Sequence, residues 1–424
     1  MLSKPLTIYN MLYLKYVLVV VLSSSLLWAC SRSRAGEPMN LVRQPYLQLA
    51  FADSTTILWR TSSGASAQVR YRAAGDKKWQ TARGTTKATN TSVKENEVIL
   101  TGLRPAMAYQ YRIATDGREW RSKQYQFRSP VAATDTTFQF FAVGDIGEPV
   151  ELEGTPQQLN DALLRGPQDF DLGLLLGDIV YPEGRSEQYD DRLFRHFTTY
   201  FPTTPVYPVL GNHDWHDPEN NYFKEWKVPG DRHFYSFHYA NAHFIALDSG
   251  PKGEIYDYDR QLAWLEAQLK NKRASDDWTI VYLHHNGKSC TYKEDYAGVM
   301  SLYPLFDRYD VDLVLNGHAH TYERLNPLNG QADVLPNYLK QKDRYLHPEG
   351  FISITIGSGG KLRGKIGDPT PFTPDPEQCR HPDLVARAVH DWIYLGVAIS
   401  GKKLTATAYT TSDNAVVDRF VVEK

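Results

Sequence analysis

A chain of 424 residues exceeds what one ordinary hydrophobic core holds, so two domains are the default. The formal net charge of −2, with a pI near 6.7, provides no global basic field. That excludes a dedicated binder of nucleic acid or acidic lipid. Charged residues at 23% and hydrophobic residues at 42% describe a globular composition, with enough apolar material for substantial cores.

The N-terminus reads as a targeting segment over residues 1–29, with Lys4 and Lys15 ahead of an apolar stretch from 16 to 27. That stretch is short of the roughly 20 residues a membrane span needs. Leu27-Trp28-Ala29-Cys30 resembles a bacterial lipobox, in which Cys30 becomes the lipidated first residue of the mature protein. The expected location is therefore exported and membrane-attached through a lipid anchor, in the bacterial periplasm or at the outer membrane. Cys30 and a polar linker occupy residues 30–39. Of the remaining cysteines, Cys290 and Cys379 can pair in an exported compartment or remain two free thiols.

Residues 40–130 read as short strands at regular spacing. The runs 55–60, 67–72, 97–100 and 109–113 alternate apolar and polar residues between Gly, Ser and Asp turns, the pattern of a small antiparallel sandwich. Leu103-Arg104-Pro105 followed by Tyr109 resembles the tyrosine corner of fibronectin type III domains, with Trp59 as the expected buried aromatic. This segment holds no His and no Cys. Its expected role is packing or positioning.

From residue 137 to 424 the pattern changes to continuous apolar runs at 138–143, 172–176, 206–210, 244–247, 279–283 and 311–315, which read as buried strands. Leu262, Leu265 and Leu269 follow helical spacing between two of them. Late runs at 351–356, 393–399 and 404–409 complete a two-sheet α/β sandwich flanked by helices. Ligands sit outside the carboxyl ends of strands in such sheets. Five of the six runs end in a cluster able to bind metal: Gly144-Asp145, Gly177-Asp178-Ile179-Val180-Tyr181, Gly211-Asn212-His213-Asp214, His284-His285 and Gly317-His318-Ala319-His320. The sixth, ending at Asp248-Ser249, reads as a structural strand with a solvated turn. Together the clusters offer Asp145, Asp178, Tyr181, Asn212, His284, His318 and His320. A mixed oxygen and imidazole set suits two first-row metals, whereas a structural zinc site favours four Cys or His. Such a pair polarises a phosphoryl oxygen and acidifies a bound water, and phosphoester hydrolysis is its natural use.

In this order the clusters resemble the calcineurin-like metallophosphoesterases, specifically the purple acid phosphatase branch, whose second motif carries a Tyr three residues after the bridging Asp, as Tyr181 follows Asp178. Gly317-His318-Ala319-His320-Thr321-Tyr322-Glu323-Arg324 also follows the branch's last motif. The resemblance covers residue 40 to the C-terminus. It implies a first metal held by Asp145, Tyr181 and His320, a second held by Asn212, His284 and His318, and Asp178 bridging them. It implies Fe(III) beside a divalent Fe, Zn or Mn ion, and hydrolysis of a small phosphomonoester by a metal-bound hydroxide. His213 is the expected group to orient the phosphate and protonate the leaving oxygen. Plant-type members carry further His residues after the fourth motif. Residues 286–292 here hold none, so that acid is either His213 alone or His285, and a His285 that only hydrogen-bonds a neighbouring loop remains open.

Lys361 and Arg363, after the turn Gly357-Ser358-Gly359-Gly360, are candidate substrate-side charges. The other histidines, among them His216, His233, His238, His243, His347, His381 and His390, are expected in ordinary surface or core hydrogen bonding. Two alternatives remain: a phosphodiesterase acting on nucleotides or phospholipid head groups, and a surface binding lipoprotein with a degenerate catalytic domain.

Overall fold

The computed structural model describes residues 39–120, 123–293, 295–338, 343–364 and 383–424. The targeting segment, Cys30, most of the linker, Cys379 and His381 lie outside the described residues. Among the described residues, no helix is long and apolar enough to cross a membrane.

The chain first builds eight strands: β1 (Leu41–Phe51), β2 (Ser54–Thr61), β3 (Ala67–Ala73), β4 (Gln80–Ala88), β5 (Lys94–Thr101), β6 (Ala108–Thr115), β7 (Arg118–Glu119) and β8 (Tyr125–Arg128). Strand β4 pairs with β3 through its first half and with β5 through its second, which folds the strands into two facing layers. Their inward residues, including Ile57, Trp59, Val69, Val98, Tyr111 and Ile113, form one buried cluster. Trp59 is fully buried and donates its indole N–H to Thr115 Oγ1 at 3.0 Å. The Arg104 N–H donates to Tyr109 Oη at 2.8 Å, so the predicted tyrosine corner is present.

Two seven-stranded sheets follow. One runs in the order β11 (Val206–Pro208), β10 (Leu172–Leu175), β9 (Thr137–Val143), β20 (Ile393–Ser400), β21 (Lys403–Thr410), β22 (Val416–Glu423) and β17 (Arg344–Leu346). The other runs β12 (Tyr235–Tyr239), β13 (Ala242–Ala246), β14 (Trp278–Tyr282), β15 (Leu313–Asn316), β18 (Ile352–Ile356), β16 (Tyr322–Leu325) and β19 (Val385–Val389). Phe138, Phe140, Leu172 and Leu395 of the first share a core with Phe244, Ile280, Tyr282 and Ile354 of the second. The two sheets therefore pack face to face. Strands β9, β10 and β11 are mutually parallel, as are β13, β14, β15 and β18. The apolar runs are continuous because these strands are covered on both faces. The predicted helix over Leu262, Leu265 and Leu269 spans Tyr258–Lys270 and buries Leu265 and Leu269.

One expectation changes. The Asp248-Ser249 turn is fully buried. Asp248 accepts from Trp215 Nε1 at 3.1 Å and pairs with His233 Nδ1 at 2.7 Å. Ser249 Oγ lies 2.8 Å from His285 Nδ1. Two polar side chains sit there because each finds partners inside the protein.

The eight-stranded unit docks against β11 and the helical and loop segments between residues 186 and 225, through largely buried polar groups. Glu225 receives Arg43 Nη1 at 2.6 Å and Arg60 Nη2 at 2.9 Å, and accepts Ser186 Oγ at 2.6 Å. Asp190 receives Arg43 Nε at 2.5 Å. Tyr111 Oη reaches Pro202 O, and Tyr207 Oη reaches back to Ala50 O, each at 2.8 Å.

Candidate metal centre

Each predicted ligand cluster sits two to four residues beyond the carboxyl end of a parallel strand. Asp145 follows β9, Asp178 follows β10, Asn212 follows β11, His284 follows β14 and His318 follows β15. The sequence turns sharply at these points. Asp145, Asp178 and His318 adopt the left-handed conformation, with φ of 58°, 47° and 68°. A residue with a Cβ held there stores of order 1–3 kcal/mol, and such strain collects at functional sites. Gly211 is required by close approach, since a Cβ on it would fall 2.1 Å from Asp178 N.

All seven predicted ligands are brought together. Tyr181 Oη lies 2.7 Å from Asp145 Oδ1, 3.0 Å from Asp178 Oδ2 and 3.5 Å from His320 Nε2. His320 Nε2 lies 3.4 Å from Asp145 Oδ1. On the other side of Asp178, His284 Nε2 lies 3.3 Å from Asp178 Oδ1, 3.2 Å from Asn212 Oδ1 and 3.3 Å from His318 Nδ1. Two groupings therefore share Asp178. The first holds Asp145, Tyr181 and His320; the second holds Asn212, His284 and His318.

The orientation of His284 tests whether a cation fits. Its Nδ1 lies 2.8 Å from Leu176 O, a bond that fixes a proton on Nδ1 and turns Nε2 toward the site. There Nε2 faces a carboxylate oxygen, an amide oxygen and a second imidazole nitrogen. A positive charge placed among those four atoms would satisfy all of them at once. Burial alone would lower the His284 pKa, yet the Asp178 carboxylate raises it to about 9, so a proton satisfies the demand a metal ion would meet. His318 is held neutral by burial and by the neighbouring His284 and His285, as a ligand must be. Its other ring nitrogen is anchored by Tyr296 Oη at 2.7 Å. Burial and the Asp145 and Asp178 carboxylates hold the Tyr181 phenol well above its ordinary range. The donor set fits a metal pair, with carboxylates, one imidazole and a phenol that would ionise on a metal on one side, and imidazoles and an amide on the other.

The predicted proton donors separate. The His213 side chain is 28% exposed; its ring lies 4.5 Å from the Tyr181 ring, its Nδ1 is held by Pro182 O at 2.7 Å, and its Nε2 lies 4.0 Å from Asp178 Oδ2. It borders the site with a surface open to a ligand. His285 lies behind the site, buried, bonded to Ser249 and packed with its ring 4.3 Å from that of His318. Burial keeps its pKa well below the ordinary value.

Four groups around the site were not singled out from sequence or only weakly so. Tyr292 Oη accepts the His320 N–H at 3.1 Å. Half-buried Lys293 stands 5.6 Å from the Tyr292 ring, and Arg363 covers the same ring at 4.1 Å. Burial lowers the Lys293 pKa, while the Asp145 and Asp178 charges act in the opposite direction. Lys361 sits 3.6 Å over the Tyr181 ring and pairs with Glu148 at 3.0 Å. The signal for Lys293 was a cation nine residues after His284 in a loop otherwise rich in small polar groups. Cys290, in that loop, is disulfide-bonded.

The calcineurin-like phosphoesterase family matches residues 138–322, and the purple acid phosphatase N-terminal domain family matches residues 42–129. Probable purple acid phosphatase 20 of Arabidopsis thaliana is 26% identical over 403 residues, covering 84% of this chain and 85% of the relative. Acid phosphatase type 7 of Danio rerio is 26% identical, covering 73% of this chain and 76% of the relative. The purple acid phosphatase from yellow lupin (Lupinus luteus) seeds shares the fold, with a TM-score of 0.74 over 89% of this chain and 74% of that chain at 19% identity.

Proposed function

The chain belongs to the purple acid phosphatase family of calcineurin-like phosphoesterases, and from that premise we propose that it hydrolyses small phosphomonoesters at a dinuclear Fe(III) and divalent metal centre. The observation that carries this reading is the placement of His284 Nε2 and Tyr181 Oη on opposite sides of the shared Asp178. Asp145, Tyr181 and His320 would hold the trivalent ion, Asn212, His284 and His318 the divalent one, and Asp178 both. Bound there, the pair supplies Lewis acidity toward a phosphoryl oxygen and an acidified water.

The protein's own groups do the rest. Leu176 O and Tyr296 Oη fix the rings of His284 and His318, so the ligands present their lone pairs without reorganisation. His213, exposed at the rim and held through Nδ1 by Pro182 O, is positioned to hydrogen-bond a phosphate and protonate its leaving oxygen through Nε2. Lys293 and Arg363 place positive charge beside Tyr292, which holds the His320 backbone, where it offsets the charge that builds on the leaving oxygen. The burial of His285 supports a supporting role behind His318. Export through the N-terminal segment and anchoring at Cys30 remain part of this proposal.

The test is a visible absorption spectrum of the purified protein with metal analysis. A broad phenolate-to-iron charge-transfer band, lost in Tyr181→Phe, is the expected result. Two bound metals without that band would overturn the iron assignment and leave a colourless divalent phosphoesterase.

A further inference from the structure

A second group of metal-competent side chains lies elsewhere in the molecule. Strand β12 is the edge of its sheet and pairs antiparallel with β13, placing His238 directly opposite His243. The two rings are stacked, with centroids 4.3 Å apart. Asp276, two residues before β14, brings Oδ2 to 3.0 Å from His238 Nδ1. One ligand atom from each of the three residues lies within 4.8 Å of the others. Strand β14 runs from this cluster toward His284, so the cluster stands at the amino ends of β13 and β14 and the centre described above at the carboxyl end of β14.

His243 is the informative member. It is 1% exposed, and neither ring nitrogen has a hydrogen-bond partner among the described residues. The sequence reading had placed it in ordinary hydrogen bonding, and the structure does not. Buried polar atoms without partners are rare and call for a missing ion or water. Burial brings its pKa down to about 4, so the ring is neutral and has a lone pair to give. Asp276 is held in place from behind: Arg273 donates its backbone N–H to Oδ2 at 2.8 Å, and its Nε and Nη2 to Oδ1 at 3.0 and 2.7 Å. That is the kind of outer support that orients a ligating carboxylate.

We propose that His238, His243 and Asp276 form a site for one divalent transition-metal ion of the zinc class, separate from the phosphoesterase centre. The ion takes the place of the proton that His238 Nδ1 shares with Asp276, as His238 shifts its proton to Nε2. It also gives His243 the partner it lacks. Two imidazoles and one carboxylate suit Zn(II), which takes water as its fourth ligand in such sets. The ion ties an edge hairpin to the loop that starts β14. Edge strands are where sheets need such protection.

The experiment uses the full chain with its phosphoesterase centre loaded, dialysed against excess Zn(II) and analysed for total metal, beside His238→Ala and Asp276→Asn. His238 is on the surface side of the pair, so its variant tests the site even where His243 variants fail to fold. The expected result is one metal equivalent more in the parent than in either variant, a zinc-dependent rise in the parent's melting temperature that His238→Ala lacks, and unchanged phosphatase turnover in His238→Ala. Equal metal content in parent and variants overturns the site. A failure of the phosphoesterase reading would lower the count equally in all three proteins and leave their difference intact, so the two readings fail separately.

Discussion

Lys293 carries the most specific consequence at the scale of single residues. A cation beside the centre matters most when the leaving oxygen is a poor one and needs stabilising. Lys293→Met is therefore expected to slow alkyl phosphates by roughly tenfold or more, and aryl phosphates much less. Steady-state kinetics on the two substrate types check this; equal loss on both would assign Lys293 to phosphate binding instead. The seven metal-ligand candidates were legible in the sequence because each type of side chain is diagnostic and each follows an apolar run. Lys293 and Tyr296 were not, because a Lys and a Tyr in a loop have many uses. Only the fold brings Tyr296 Oη to 2.7 Å from His318 Nε2. His285 was ambiguous in sequence for a related reason: adjacent histidines after a strand point to opposite sides, and His284 takes the site.

Among the elements, strand β16 and the loop after β14 are coupled through one carboxyl group. Glu323 is buried on β16 and accepts Ser289 Oγ and the Cys290 N–H, each at 2.8 Å. Burial pushes its pKa up to about 7, against 4.5 as its ordinary value. The proton is thus bound more tightly in the folded state. The stabilisation this provides is complete below pH 4.5 and is lost as the pH rises through 7, a change of roughly 3 kcal/mol. Glu323→Gln should flatten the fall in melting temperature between pH 5 and pH 8, as thermal denaturation across that range will show. A variant that keeps the parent's slope would place the titration elsewhere. The strands that carry the centre were readable as buried runs, whereas β12, β16, β17, β19 and β22 were not picked out. Strand β16 follows a ligand motif so closely that its Tyr322-Glu323-Arg324 reads as motif rather than strand. The exposed β17 carries only one buried residue, Tyr345, so it lacks a pattern to detect.

Across the whole molecule, the N-terminal strands are bound to the catalytic part by charge as well as by apolar packing. Glu225 answers both Arg43 and Arg60, and all three side chains are essentially without exposure. Removing one member of such a cluster leaves buried charge unpaired, which costs about 3–5 kcal/mol. Glu225→Ala is expected to lower stability by that amount in urea unfolding, while Glu95, 12% exposed at the side of the same cluster, matters less. A Glu225→Ala variant as stable as the parent would mean that the interface is held by its apolar contacts alone. The two-part organisation was visible in the change from alternating to continuous apolar runs. The ionic seam between the parts was not, since Arg43, Arg60 and Glu225 meet across more than 160 residues of chain.

The position of β20 has a consequence for the order in which the protein can mature. The last of the seven donors is His320, yet β9, which leads into Asp145, is flanked on one side by β10 and on the other by β20, some 250 residues later. The ribosome therefore releases every donor long before the sheet that aims the first of them can close. A chain cut after residue 320 would carry all seven donors and have no finished pocket to hold them. Metal acquisition becomes a late event in the life of the molecule, waiting on the C-terminal hairpin.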